Sequence, residues 1–397
     1  MPLDDAGARA FREEVRAFLR DRLPPALAAH VAKGGYPDHA DIRAWIAALA
    51  ERGWSAPSWP REWGGAALPS RLRAILDEEC ALADAPAVEA LGISTVGPAI
   101  LEFGTTAQKD RFLPPIVTCA EHWCQGFSES GAGSDLAALS TRAAREGDGW
   151  RVTGSKIWTS SAHHADWMLC LARTDPEAPK HHGISALLVD MRAPGVTVRP
   201  IRWMNGVHGF NEVFLDGVEV PAENLLGAEN GGWAVAMHAL GPERIFVSRV
   251  AENKRLLKRL REAMETPDEH GRPLAEDPEF AARAARLEIR LPALEERFVQ
   301  FLDDLEAGRP VGPEVSMLKL TGSRLIQSFE ALIAEAHGPA VLPFDLERTA
   351  AEGLGLEVGA PGAAMAALRM LHHRGYTIAA GSSEVQLEVL TRRVLGL

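Results

Sequence analysis

The sequence predicts an α+β protein: an N-terminal all-helical domain, a central antiparallel β domain and a C-terminal helical bundle. Three observations predict it. Apolar residues recur at helical spacing over residues 1–118 and again over 229–397, whereas 119–228 carries short alternating or β-branched runs. Gly, Asp and Pro clusters punctuate those runs at turn-like intervals. No helical pattern separates one strand from the next, so nothing supplies the crossovers that a parallel sheet needs. At 397 residues the chain is long enough for two or three packed layers and a sizeable core.

The elements follow in order. In the first block, "GARAFREEVRAFLRDRL", "HADIRAWIAALAERG", "PSRLRAILDEECALA" and "TAQKDRFLPPIVT" read as helices with Gly or Pro stops. The Trp- and Pro-rich stretch "GWSAPSWPREWGG" between them reads as a packed connector. In the second block, "WRVTGSKIWTSS", "WMLCLART", "GISALLVDM", "GVTVRPIRW" and "NEVFLDGVEVP" read as strands of an antiparallel sheet or small barrel. The third block opens with "GGWAVAMHALGPERIFVSRVAENKRLLKRLREAME", read as one long helix kinked at Gly241-Pro242. A solvated loop, "TPDEHGRPLAEDP", leads to a second long helix, "PEFAARAARLEIRLPALEERFVQFLDDLEAG". There is no internal repeat and no low-complexity tract.

Composition narrows the function classes. Hydrophobic residues at 46% and charged residues at 24% are the balance of a soluble globular protein. A formal net charge of −12 argues against a nucleic-acid partner, which needs clustered Lys and Arg, but leaves room for a small anion in a local basic pocket. Cys80, Cys119, Cys124 and Cys170 form no Cys-x-x-Cys pair, and read as reduced, partly buried thiols. The N-terminus is an amphipathic mixed-charge helix rather than a signal peptide, and no apolar run approaches the roughly 20 residues of a membrane span. A cytoplasmic enzyme is the expectation. The adjacent pairs His163-His164, His181-His182 and His372-His373 point apart on a helix or a strand, so no metal site is expected.

Three segments carry candidate chemistry. "GFSESGAGSD", residues 126–135, places small residues, hydroxyls and a carboxylate where a strand meets a turn, which suits either an ordinary Gly/Ser turn or a loop whose N–H groups approach a ligand. It is not a dinucleotide fingerprint: Leu136 replaces the third glycine, and β structure rather than a helix follows. "GSKIWTSSAHHADW", residues 154–167, sets Trp158 beside three hydroxyls, either as core or as a wall against a planar ring. In "GYTIAAGSSEVQLEVL", residues 375–390, Ser382 or Ser383 is a helix N-cap, and the same free N–H groups suit an anion.

One residue breaks the pattern. On a helical wheel Glu243 falls within about 60° of Ala239, Leu240, Phe246, Val247 and Val250, on the apolar stripe, while Arg244 points about 100° away. A buried ion pair is one account of such a carboxylate. A base with a raised pKa is another.

The three segments together resemble the acyl-CoA dehydrogenase family, over nearly the whole chain and in the family's domain order. "GFNEVFLDGVEVPAENLLG", "RRVLGL" and the Trp-rich loop are similar to its bacterial members. The resemblance implies the acyl-CoA dehydrogenase fold and FAD-dependent α,β-dehydrogenation of an acyl-CoA thioester. It implies a cofactor site drawn from Gln125, Phe127, Ser128, Gly133, Ser134, Trp158, Thr159, Ser160, Ser382 and Glu384. Within it, Ser128 meets the flavin pyrimidine edge, Trp158 packs on the rings, and Ser160 lies near N5. Ser134, Arg244, Ala380 and Gly381 are implied to bind substrate, with Ser134 where FAD and the CoA arm meet. Many members carry their base just before the glycine of the C-terminal motif, where this chain has Ala380. A minority carry it ahead of an arginine after the β domain, and that position is Glu243, the implied catalytic base.

Two further departures concern assembly. The Arg-x-x-Phe-Gly pyrophosphate clamp of many relatives is missing from "GRPLAEDPEFAARAARLEIRL", and "EAHGPA" replaces a Gly-Gly turn. The family's partners would be an electron-transfer flavoprotein as acceptor and further subunits in a homo- or hetero-oligomer, a dimer or tetramer. A non-catalytic or half-site subunit of a hetero-oligomeric acyl-CoA dehydrogenase and a flavin monooxygenase or oxidase on the same fold are the alternative readings. Many small residues in "EALGISTVGPAILEFG", residues 89–104, suit a branched or bulky acyl chain, as similar bacterial proteins acting on steroid side chains or branched acids would need.

Overall fold

The computed structural model describes residues 5–88, 90–241, 245–267, 271–342 and 362–397. The chain divides into two compact units: Met1–Ile42, Leu68–Ala87 and Glu243–Leu397 make one, Arg43–Ala67 and Val88–Pro242 the other.

The first unit is helical. Helix α1 (Ala6–Arg22) starts where the Asp5 carboxylate accepts the Ala8 N–H at 2.8 Å, and ends on Arg20 and Arg22, which suit the negative end of the helix dipole. After α2 (Pro25–Ala32) and α3 (His39–Ala50), whose start belongs to this unit, come α4 (Ser70–Leu82), α8 (Val250–Met264), α9 (Pro278–Glu306) and α10 (Ser316–Ala336). Helices α11 (Ala363–His372) and α12 (Ser383–Arg393) complete it. Leu256, Leu260, Leu302, Leu325, Ile326 and Phe329 are buried at its centre. Beside that apolar core runs a charged one. Glu330, 1% exposed, accepts from Arg369 at 2.8 Å and lies 3.0 Å from His373 Nδ1, and Arg369 also reaches Glu252. Burial opposes ionisation of Glu252 and Glu330, yet the surrounding arginines outweigh it and hold both carboxyls below the usual range.

The second unit packs α5 (Gly97–Phe103), α6 (Thr106–Val117) and α7 (Gly232–Ala239) with an eight-stranded sheet. Thr105 and Gln108 form a reciprocal capping box at the start of α6, and Gln108 also donates to the carbonyls of Glu223 and Leu225. The Trp-rich connector is packed: Trp59 is 3% exposed and its ring occupies the space where a Cβ on Gly97 would stand, 1.9 Å away. A π-helical turn, Gly92–Val96, leads into α5.

The strands are β1 (Trp123–Gly126), β2 (Arg142–Glu146), β3 (Gly149–Lys156), β4 (Trp167–Arg173), β5 (Ile184–Asp190), β6 (Val196–Arg202), β7 (His208–Val220) and β8 (Leu225–Leu226). Their order is β6-β7-β3-β2-β4-β5-β8, with β1 against β4. Most pairs are antiparallel as expected, but β1–β4 and β2–β4 are parallel. Strand β5 takes one edge of β4 along its whole length, so β1 and β2 share the other, β1 near its start and β2 at Arg173. The chain between them, 127–141, is therefore a detour off that side of β4, and no crossover helix was needed.

The expectation of one kinked helix through Glu243 is corrected. Helix α7 stops at Ala239, and Leu240 and Gly241 form a turn in which Gly241 N–H donates to His238. Phe246–Ser248 is a single 3-10 turn, Arg249 has φ +49°, and α8 starts afresh at Val250. Proline has no N–H for the helix ladder and disfavours the helical conformation in the residue before it, so Gly241-Pro242 ends the helix rather than bending it. The wheel that placed Glu243 on an apolar stripe required continuity from 239 to 250, and that premise fails. Glu243 and Arg244 themselves lie outside the described residues.

Candidate functional site

In the β unit, the detour 127–141 is pinned by a buried ion pair. Glu129 takes Lys156 Nζ at 2.7 Å, the Ser140 hydroxyl and N–H at 2.7 Å, and the Thr141 N–H at 2.9 Å. Burial pushes the Glu129 carboxyl up, but the Lys156 charge and the Thr141 and Ser140 donors prevail and hold it at about 2. Lys156 is fully buried and also donates to the Phe127 carbonyl. Phe127 is thus packed inward, Gln125 sits half-buried on β1 opposite Leu169, and Gly133 and Ser134 lie exposed on the outer bend. Neither Glu129 nor Lys156 was predicted as a site residue; a carboxylate in a Gly/Ser loop and a lysine in a strand 27 residues on give only a weak signal.

The second segment is locked to the first. Ile157 N–H donates to the Ser128 carbonyl at 2.9 Å. Trp158 follows with φ +59°, a left-handed conformation rare for a bulky residue, and its ring is 56% exposed, edge-on to Phe210 at 5.9 Å. Ser161 has φ +52° and its N–H donates to Gly209. Between them, the fully buried Asn211 grips Thr159 twice: its carbonyl accepts the Thr159 N–H and its Nδ2 donates to the Thr159 carbonyl, both at 3.0 Å. The Asn211 amide is oriented in turn by His208 Nε2 at 2.8 Å and His163 Nδ1 at 3.1 Å. Thr159 is 1% exposed, and its hydroxyl has no hydrogen-bond partner among the described residues. A backbone held in two left-handed conformations, an exposed indole and an orphaned hydroxyl together mark a surface shaped for a ligand rather than for packing. Ser160, half-buried, stands beside that hydroxyl in sequence.

In the helical unit, the C-terminal motif is a turn ahead of α12. Ala380 (φ +55°) and Gly381 (φ +83°) are consecutive left-handed residues, the first at a cost of about 1–2 kcal/mol for a residue with a Cβ. Ser382 is the N-cap, its Oγ accepting the Val385 N–H at 3.3 Å. Glu384, exposed in the first turn, is held below the usual carboxylate range by its own backbone N–H and the Ser382 hydroxyl. Ser383 is buried and its hydroxyl has no partner. The helix-start reading of the segment is therefore correct, and its first N–H groups have no acceptor within the helix.

The structure thus brings Gln125, Phe127, Ser128, Trp158, Thr159 and Ser160 together on one edge of the β unit. It gathers Ala380, Gly381, Ser382 and Glu384 in one turn of the helical unit. All four cysteines are free, and burial pushes the Cys80 thiol up to about 12, so none is a poised nucleophile. Among the described residues no group of His, Cys, Asp and Glu could hold a metal ion, and no helix is long and apolar enough to cross a membrane.

A mixed sheet between helical segments of the chain, an exposed indole on a left-handed backbone and a capped turn near the C-terminus are the features that the family comparisons explain. The sequence matches the N-terminal, middle and C-terminal domains of acyl-CoA dehydrogenases over residues 5–120, 124–218 and 230–395. It is 36% identical to the acyl-CoA dehydrogenase IpdE1 of Mycobacterium tuberculosis, over 98% of this chain and 97% of that protein. Against the acyl-CoA dehydrogenase FadE34 of the same organism it is 37% identical, but the chain spans only 45% of that protein's length. Among solved structures, the ChsE4-ChsE5 complex from Mycobacterium tuberculosis superposes with a TM-score of 0.83 at 29% identity, covering 99% of this chain and 98% of that one. The chain belongs to the acyl-CoA dehydrogenase family. It is an oxidoreductase, and membership implies a flavin cofactor, which the orphaned Thr159 hydroxyl and the exposed Trp158 ring fit.

Proposed function

We propose that the protein catalyses FAD-dependent α,β-dehydrogenation of an acyl-CoA thioester, with Glu243 as the base that removes the α-proton. The observation that carries this reading is the Ala380–Gly381 turn. Its left-handed backbone and the free N–H groups at the start of α12 suit a thioester carbonyl, while the position that bears the base in many relatives offers only a methyl group. A carboxylate has to come from elsewhere, and Glu243, ahead of Arg244, is where a minority of the family carries it.

Bound FAD would supply the hydride acceptor. The chain's own residues do the rest. Gln125, Phe127, Ser128 and Thr159 would hold the ring edge, Trp158 would pack on the rings and Ser160 would offer a hydroxyl. Gly133 and Ser134 meet the junction of cofactor and CoA, and Ser382 and Glu384 border the cofactor at the turn. The Ala380 N–H polarises the thioester carbonyl beside Gly381 as negative charge develops on it, and Arg244 steadies the substrate. Glu243 receives the α-proton, for which a carboxylate of raised pKa is the better-matched base. An electron-transfer flavoprotein is the proposed acceptor. Small residues through Gly92–Val96 suit a branched or bulky acyl group. The test is an anaerobic panel of acyl-CoA thioesters against the flavin-loaded protein. Bleaching of the flavin by at least one is expected. In a parallel aerobic assay with a dye acceptor, reduction of the dye is expected; oxygen consumption in its place would make it an oxidase or monooxygenase.

A second reading, a half-site subunit in a hetero-oligomer, is favoured by the missing Arg-x-x-Phe-Gly clamp. The ChsE4-ChsE5 structure is itself a complex of two different chains. Under it, the chain purified alone holds well under one FAD per chain and fills only with a partner chain; full occupancy alone would count against it.

A further inference from the structure

The helical unit contains a buried cation that the proposed chemistry does not use. Lys319, on α10, is 4% exposed, and its ammonium donates to the Gly381 carbonyl at 2.7 Å. Burial pushes its pKa below the usual lysine value, while Glu384 works in the other direction. An ammonium in such a place is costly unless its partner is worth holding.

The partner is the second of two left-handed residues. A trans peptide is planar, so its carbonyl and the next N–H point in opposite directions. Fixing the Gly381 carbonyl against α10 therefore fixes the Ser382 N–H facing away from α10. Lys319 is also not isolated. Eight residues on, Gln327 donates to the His373 carbonyl at 3.0 Å and the Thr377 hydroxyl at 3.3 Å, and eleven residues on, Glu330 accepts from Arg369 at 2.9 Å. At about 100° per residue these side chains fall within about 80° on one face of α10. That face holds the chain from Arg369 to Gly381 at successive points, and Lys319 is its last hold, at the turn itself.

We infer that Lys319 is a positioning residue for the Ala380–Gly381 turn, holding it in the conformation from which the Ala380 N–H meets the thioester and the Ser382 N–H faces the cofactor. The inference rests on the reading of that turn as thioester-binding, and the experiment separates the two. The first arm needs no ligand: hydrogen–deuterium exchange of the full chain, wild type against Lys319→Met and Lys319→Arg. Losing one charge-assisted hydrogen bond is expected to speed exchange at Ile378, Ala379, Val385 and Gln386 about tenfold or more in Lys319→Met, with α10 and α9 unchanged and Lys319→Arg restoring part of the protection. The second arm measures kcat and KM with whichever acyl-CoA bleaches the wild-type flavin. Lys319→Met is expected to lower kcat by about 100-fold, with KM changed less than threefold, as for loss of a preorganised oxyanion donor. Unchanged exchange at the turn, or equal acceleration throughout α10, would overturn the inference. So would a loss confined to KM. Faster exchange at the turn with no bleaching in the wild type would leave the positioning role standing and sink the thioester reading.

Discussion

Thr159 is where residue-scale physics separates folding from function. A buried hydroxyl without a partner costs stability, on the order of 1–3 kcal/mol, and no group among the described residues recovers it. Thr159→Val is therefore expected to leave the ligand-free protein as stable or more so, while weakening flavin binding about tenfold, the worth of one hydrogen bond. Thermal melts and flavin titration check the pair of outcomes; a melt that falls with affinity intact would assign the hydroxyl to the fold. Glu129 makes the opposite case. Its carboxyl is held at about 2 in the fold, below the unfolded value near 4.5, so its contribution is present above that unfolded value and is lost as pH falls toward 2. The shift corresponds to roughly 3 kcal/mol at neutral pH. Glu129→Gln is expected to destabilise the protein at pH 7 by an amount of that order and to flatten the stability loss between about pH 5 and 2 in denaturant titrations. The sequence displays both residues but not their partners, because Ser140, Thr141, Lys156 and Asn211 converge only once β2, β3 and β7 are paired.

At the scale of elements, the cap at the start of α12 was readable as Ser382 or Ser383, and the structure makes it Ser382, while Asp5, Thr105 with Gln108, and Asp277 cap α1, α6 and α9. The sheet's alternating burial was readable too, since β7 reads inward at every second residue from Gly209 to Leu215. Two features were not. The parallel placement of β1 and β2 along β4 depends on which edge β5 leaves open, a long-range matter with no local signature. The break between α7 and α8 was underestimated because apolar spacing continues through it, and periodicity cannot report that Gly-Pro has cut the hydrogen-bond ladder. The helical unit's charged core was equally hidden, since its members come from α8, α10 and α11. Glu330→Gln would leave Arg369 buried with less than its countercharge, and a loss of about 3 kcal/mol or more is expected in equilibrium unfolding. A loss under about 1 kcal/mol would show the network to be incidental.

For the whole molecule, the family and its domain order were legible because several motifs stand far apart in the right sequence, which chance does not arrange. The proposed chemistry starts from a departure visible in the sequence: Ala380 stands where many relatives carry a carboxylate. Ser128, Trp158 and Thr159 belong to one compact unit, and Ala380 and Gly381 to the other. The central claim is that Glu243 supplies the proton acceptor that Ala380 cannot. The most direct measurement mixes flavin-loaded wild type or Glu243→Gln anaerobically with the best acyl-CoA of the panel and follows flavin absorbance through a single turnover. The account predicts that Glu243→Gln folds and holds flavin like the wild type but bleaches at least 1,000-fold more slowly, on the scale of losing a general base; bleaching at the wild-type rate would contradict it.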